Sequence, residues 1–124
     1  MISWPDNFEL QPLHTIPKMA EEAREQARLV ATLRYHWHTL PIEKRPIVFA
    51  VPNGGKRNAA EAANLKVQGA LAGIHDLIIW LQGGRSLLVE MKAHDGRLSE
   101  SQKGIHAHST ALGFTTIVAY SAED

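Results

Sequence analysis

Apolar residues recur along this chain with two different periods, and the periods predict its elements. With residues advancing by about 100° along a helix, Met19, Ala23, Val30 and Trp37 fall within roughly 40° of one direction. Gln26 and Leu33 lie close to that stripe, Glu22 borders it, and Glu21 and Glu25 point away. This pattern predicts an amphipathic helix, capped at Thr15 before Pro17 and stopped near Thr39 by Pro41. Four short apolar runs read instead as strands: Ile47–Val51, Leu77–Leu81, Leu87–Val89 and Thr115–Tyr120. Gly83-Gly84 between the middle two is a two-residue hairpin signal. Asn58, with Glu61 three residues on, opens an Ala-rich helix to about Leu71. Ser99–Leu112 is a further helix, ended by Gly113.

The resulting order is α-β-α-β-β-α-β. It predicts an α/β fold in which a mixed four-stranded sheet is flanked by helices, with its functional end at the strand termini. The 124 residues are expected to form one domain, with residues 1–14, which carry Pro5 and Pro12, as an N-terminal arm.

Composition narrows the chemistry. The chain has no cysteine, which excludes disulfides, thiolate zinc sites and cysteine nucleophiles. No apolar run approaches membrane-spanning length and no signal-peptide pattern opens the chain, so the expected location is the cytoplasm. Thirteen acids balance thirteen bases. A net charge of zero argues at first against a nucleic-acid partner. Were three of the acids, Glu22, Asp76 and Glu90, engaged at a site of their own, however, thirteen bases would face ten remaining acids, an excess of three. Lys56, Arg57, Lys66, Lys92, Arg97 and Lys103 also gather around the segments that hold those acids. A modest basic face would bind DNA with moderate, salt-sensitive affinity.

The candidate chemistry lies between Asp76 and Gln102. Asp76 stands where one apolar run begins, and Glu90-Met91-Lys92 closes the next. Strand side chains alternate, so Glu90 and Lys92 share a face, and a hairpin can bring Asp76 near them. Two carboxylates and a lysine at a sheet end suit a hard divalent cation and a phosphate. Mg²⁺ takes oxygen ligands and keeps several waters, so one or two carboxylates with phosphate oxygens suffice. Such an ion polarises the phosphoryl oxygen and acidifies a coordinated water, and a nearby lysine can stabilise the developing charge. Taken alone, Glu-x-Lys is also the pattern of a solvated strand end.

The ordered set of motifs resembles a stand-alone VRR-NUC domain, a branch of the PD-(D/E)xK nuclease superfamily. The matching pieces are Glu22-x-x-x-Gln26, Asn53-Gly54-Gly55, Gly73-x-x-Asp76, Glu90-x-Lys92, Leu98-Ser99-x-x-Gln102 and Gly113-Phe114. They cover about residues 18–121. The resemblance implies a restriction-endonuclease-like core and Mg²⁺ or Mn²⁺ as cofactor. It implies that Asp76 and Glu90 are metal ligands with the Met91 carbonyl as a third, and that Lys92 is the catalytic lysine. Glu22, directly or through a water, and Gln26 would face the site from the first helix, and Gln102 would support it. His75 departs from the family pattern, where a small or apolar residue is expected; this bears on local packing and not on the chemistry.

Several residues carry two readings. Glu22 borders a buried face, where a shared metal or an arginine partner would offset its cost. Ser99-x-x-Gln102 is a capping box, and the Gln102 amide can also face a metal-bound water. The Asn53–Arg57 loop has a permissive backbone and two bases, suited to a phosphate, or is an ordinary glycine turn with solvated charges. Arg97, Lys103 and Ser99 complete the expected DNA-facing set. His36-x-His38 and His106-x-His108 lie on helices, where residues two apart do not share a face, and are expected at the surface or an edge.

These features point to a structure-selective DNA endonuclease that cuts branched DNA such as four-way (Holliday) junctions as a homodimer. The setting suggested by similar compact domains is a bacterial or phage-infected host cell. The alternatives are a restriction- or exonuclease-like DNase on the same scaffold and a branched-DNA-binding module that does not cut. Trp80 and Leu81 at the hairpin edge, or Leu29, Leu33 and Trp37 on the first helix, are the candidate dimer surfaces.

Overall fold

The structure, a computed structural model, describes residues 21–52 and 58–120. The N-terminal arm, the proposed cap at Thr15 and the Asn53–Arg57 loop lie outside the described residues.

Four strands form one mixed sheet in the order β1-β2-β3-β4. They are β1 (Ile47–Ala50), β2 (Leu77–Trp80), β3 (Ser86–Met91) and β4 (Thr115–Ala119). β1 and β2 pair antiparallel, as do β2 and β3, whereas β3 and β4 run parallel. Parallel neighbours need a long crossover, and α3 (Glu100–Ala111) supplies it. The remaining helices are α1 (Glu21–Trp37) and α2 (Ala59–Val67). This is the α/β architecture expected from the sequence and is consistent with a restriction-endonuclease-like fold.

Strand alternation explains the core. Leu77 and Ile79 are buried in β2 while Trp80 is exposed. Val48, Leu77, Ile79, Val89, Met91 and Ala119 form the buried cluster, and Leu29, Val30, Leu33 and Trp37 of α1 pack against it. The helical stripe read from the sequence is therefore the core-facing one, although Ala23 is exposed. Leu29, Leu33 and Trp37 are engaged within the chain's own core, which leaves the Trp80 edge as the more open of the two candidate dimer surfaces. Glu25 also departs from its expected solvent position: its side chain is half-buried and meets Arg28 at 3.0 Å.

Two boundaries differ from expectation. α2 ends at Val67, not near Leu71, because Gly69 adopts φ +108° and the Ala70 amide turns back to the Leu65 carbonyl. The β2–β3 connection is longer than a two-residue turn. Trp80 pairs with Ser86, the Leu81 amide donates to the Arg85 carbonyl at 2.8 Å, and both Gly83 and Gly84 take positive φ. The two glycines thus carry the chain from Gln82 to Arg85 through a tight turn of left-handed backbone, which glycine adopts without strain. No described helix is long and apolar enough to cross a membrane.

Candidate metal centre

Three elements deliver three acids to one place. β2 pairs with β3 so that Leu77 faces Val89, which puts Asp76, one residue before β2, at the level of Glu90. The pairing also extends backwards, since the Val51 amide donates to the Asp76 carbonyl at 2.9 Å. Asp76 is oriented from its other side by the Met91 amide, which donates to Oδ2 at 2.8 Å. Glu22 arrives from the first turn of α1. Carboxylate oxygens of Glu22, Asp76 and Glu90 all lie within 4.8 Å of one another.

The electrostatics of this cluster are unfavourable as it stands. Glu90 is fully buried, and neither of its carboxylate oxygens has a hydrogen-bond partner among the described residues. Burial, the adjacent Asp76 carboxylate and, more weakly, Glu22 push the Glu90 carboxyl up to about 9 from its ordinary 4.5, against the pull of Lys92. Glu22 is also raised, by burial and by Asp76, with Lys92 and the Ala93 amide acting in the opposite direction. Like charges this close cannot all ionise in a low-dielectric setting without a cation between them. A hard divalent ion matches the donor set, since it takes carboxylate oxygens and would satisfy the two unpartnered oxygens of Glu90. Glu22, Asp76 and Glu90 are the side chains that would hold it, and Lys92, immediately after β3, is close enough to act on two of them.

The other sequence-predicted residues distribute as follows. Met91 is fully buried beside Asp76. Gln26 is half-buried one turn after Glu22. Ser99 and Gln102 form the complete capping box of α3: the Ser99 hydroxyl accepts from the Gln102 amide at 3.2 Å, and Gln102 Oε1 accepts from the Ser99 amide at 2.8 Å. The Gln102 oxygen is thus committed to the cap. Lys103 makes an exposed pair with Glu100 at 3.4 Å, a contact too weak to keep it from a phosphate, and Arg97 is exposed in the loop before α3. A cleft of about 250 Å³ lined by Leu81, Arg85, Leu87, Leu112 and Phe114 opens at the opposite end of β3, away from the acids.

One pair was missed. His106, expected at the surface or an edge, is half-buried with its Nε2 enclosed, and its ring lies 4.3 Å from that of the fully buried His75, a contact the sequence reading did not contain. Burial lowers the pKa of both, helped at His75 by His106 and opposed there by Asp76. The available signal was the helix phase: Gln102, Ile105, His106 and Ser109 follow the i, i+3, i+4, i+7 spacing of an inward face and are the half-buried positions of α3. Only one of the four is apolar, so a hydrophobic stripe did not reveal them.

No curated protein and no solved structure matches the chain. The family model of the VRR-NUC domain does match it, over residues 14–123. The acids that converge on Glu90 are those of the motifs read from the sequence, and the matched span takes in nearly the whole chain: this protein belongs to the VRR-NUC family of nucleases.

Proposed function

We propose that this chain is a single-domain, Mg²⁺- or Mn²⁺-dependent DNA endonuclease that cuts four-way junctions and related branched DNA as a homodimer. The observation that carries the reading is the Glu22–Asp76–Glu90 cluster, half-buried at Glu22 and Asp76 and fully buried at Glu90, with Lys92 beside it. Holding three acids within 4.8 Å costs stability, and a module that only gripped DNA would have no use for it. When bound, a divalent ion supplies the Lewis acid for the scissile phosphate and an acidified water. Asp76 and Glu90 would hold the ion together with the Met91 carbonyl, and Glu22 would join them directly or through a water. Lys92 orients the attacking water and stabilises the charge that builds on the phosphate. Gln26 and Gln102 support the two sides of the site. Asn53, Lys56, Arg57, Arg97, Lys103 and the Ser99 end of α3 face the DNA backbone.

Two considerations of symmetry and charge support the dimer reading. One domain carries one cluster, whereas resolving a junction takes two symmetry-related cuts, and a two-fold pair supplies both sites while doubling a weak basic face. Ile47 and Trp80, paired across β1 and β2, remain 56% and 53% exposed and offer the second copy an apolar edge. Selectivity then comes from DNA shape, not base sequence. Cleavage of matched four-way and linear substrates with Mn²⁺ or EDTA, alongside sedimentation of the free protein, tests the reading. Metal-dependent cleavage that favours the junction, from a dimer, is expected. A folded protein that binds Mn²⁺ and cuts no DNA would overturn the nuclease assignment, and a monomer that cuts both substrates equally would overturn the junction reading.

A further inference from the structure

The machinery assigned above leaves one buried polar feature without a task. His75 is 1% exposed, and neither of its ring nitrogens has a partner among the described residues. Its ring lies on that of His106 with centroids 4.3 Å apart and planes tilted by 32°. Two residues before it, Gly73 presses on the start of α3: a Cβ added there would stand 2.5 Å from the Ser101 carbonyl carbon and 2.8 Å from the Gln102 nitrogen. The lead-in to β2 therefore touches α3 at two levels, backbone against backbone in the first turn and ring against ring about one turn further on. The residue after His75 is Asp76, whose carboxylate is held on the opposite side by the Met91 amide at 2.8 Å.

We propose that His75 and His106 are positioning residues: their stacked rings clamp the lead-in to β2 onto α3, fix where Asp76 presents its carboxylate to Glu22 and Glu90, and so set the affinity of that cluster for a divalent cation. The inference rests on the metal-binding reading of the cluster. Asp76 lies outside the strand ladder proper, and every residue of an irregular segment keeps two soft backbone dihedrals. Repulsion from Glu22 and Glu90 pushes its carboxylate outward whenever the cluster carries charge. The Val51 amide on the Asp76 carbonyl and the Met91 amide on its carboxylate resist this push from the strand side; on the irregular side, His75 is the buried side chain next in the chain. The stack acts through planar shape. Aromatic rings in offset or tilted contact hold a defined distance, and the ring nitrogens make no directed bond that a phenyl ring would lose. This also accounts for the departure of residue 75 from the small or apolar type: the bulk of a ring is what reaches His106.

Calorimetric titration of Mn²⁺ into the metal-free protein tests the clamp, with thermal unfolding of each variant read separately. Groups that orient metal ligands typically change affinity by about 10- to 100-fold when removed, so His75→Ala and His106→Ala should each weaken Mn²⁺ binding by about tenfold. His106→Phe keeps the ring and should stay within about twofold of the wild type, by the same reasoning. Alanine variants that melt earlier but bind Mn²⁺ with unchanged Kd would show a merely structural pair and overturn the proposal. Equal losses in His106→Phe and His106→Ala would assign the effect to the nitrogens and overturn it as well. If His75→Ala does not fold, His106→Ala, at a half-buried helix position, carries the test. Asp76→Ala, titrated in the same series, separates the two levels: unchanged Mn²⁺ affinity there sinks the metal site itself, whereas its loss beside unmoved histidine variants sinks only the clamp.

Discussion

Replacing Glu90 by glutamine should stabilise the metal-free protein while abolishing its activity. In the folded chain the Glu90 carboxyl is pushed up to about 9 from 4.5, chiefly by burial and by Asp76. Between those values the folded state holds a proton that the unfolded state has released. Folding stability therefore falls as pH rises through this window. At about 1.4 kcal/mol per pH unit, the group costs at most about 3 to 4 kcal/mol at pH 7, and at most about 3 kcal/mol more by pH 9. Glutamine is neutral at every pH, similar in shape, and can donate its amide to Asp76. In EDTA at pH 7, Glu90→Gln should then melt up to roughly 10 °C above the wild type for a chain of this size. Saturating Mn²⁺ should reverse the order, because binding stabilises only a protein that keeps its ligands. The assay is thermal unfolding by circular dichroism from pH 7 to 9. This range lies above the lowered pKa values of His75 and His106, whose contribution is lost only as pH falls below about 6.5. A wild-type Tm that stays flat across this range in EDTA, or a Glu90→Gln variant no more stable than the wild type, would refute the reasoning.

Three further outcomes are expected. Lys92→Ala should lower the DNA cleavage rate by about 100-fold or more, the usual cost of losing a charge-stabilising donor, while calorimetry still detects Mn²⁺ binding; wild-type turnover would remove Lys92 from the mechanism. Glu22→Gln should slow cleavage by about tenfold or more where Glu21→Gln and Glu25→Gln do not, since only Glu22 joins the acid cluster and Glu25 is paired with Arg28; equal effects at fixed Mn²⁺ would show the cluster is not the site. Gly73→Ala should destabilise by more than about 2 kcal/mol, because φ is +83° and the new Cβ would stand 2.5 Å from Ser101. Gly69→Ala, with φ +108° in open space, should cost only about 1 kcal/mol, and equal urea midpoints for the two variants would refute the close approach.

Much of this protein is legible in its sequence because the relevant physics is local. Helical and strand periods are set within a few residues, so the seven elements and their order follow from the placement of apolar positions. Caps are equally local: Asn58 accepts from the Glu61 amide at 2.8 Å, and Ser99 with Gln102 closes the box that the spacing announces. Phase alone put Glu90 and Lys92 on one strand face and Glu22 at the border of the helical stripe, while their choice as a site rested on the resemblance of the ordered motifs to the VRR-NUC family. The tertiary structure decided what depends on segments far apart in the chain. It brought Glu22 of α1 onto the ends of β2 and β3, whereas the end of α2 at Gly69 and the longer Gly83-Gly84 turn are local features of positive-φ glycines. It buried Glu90 completely, and that desolvation, not the residue type, raises its carboxyl to about 9. It also stacked His75 on His106, a contact that no single-segment pattern contains. Proximity and loss of water are properties of the closed chain: periodicity says which way a side chain faces, and only packing says what it meets there and how much water it loses.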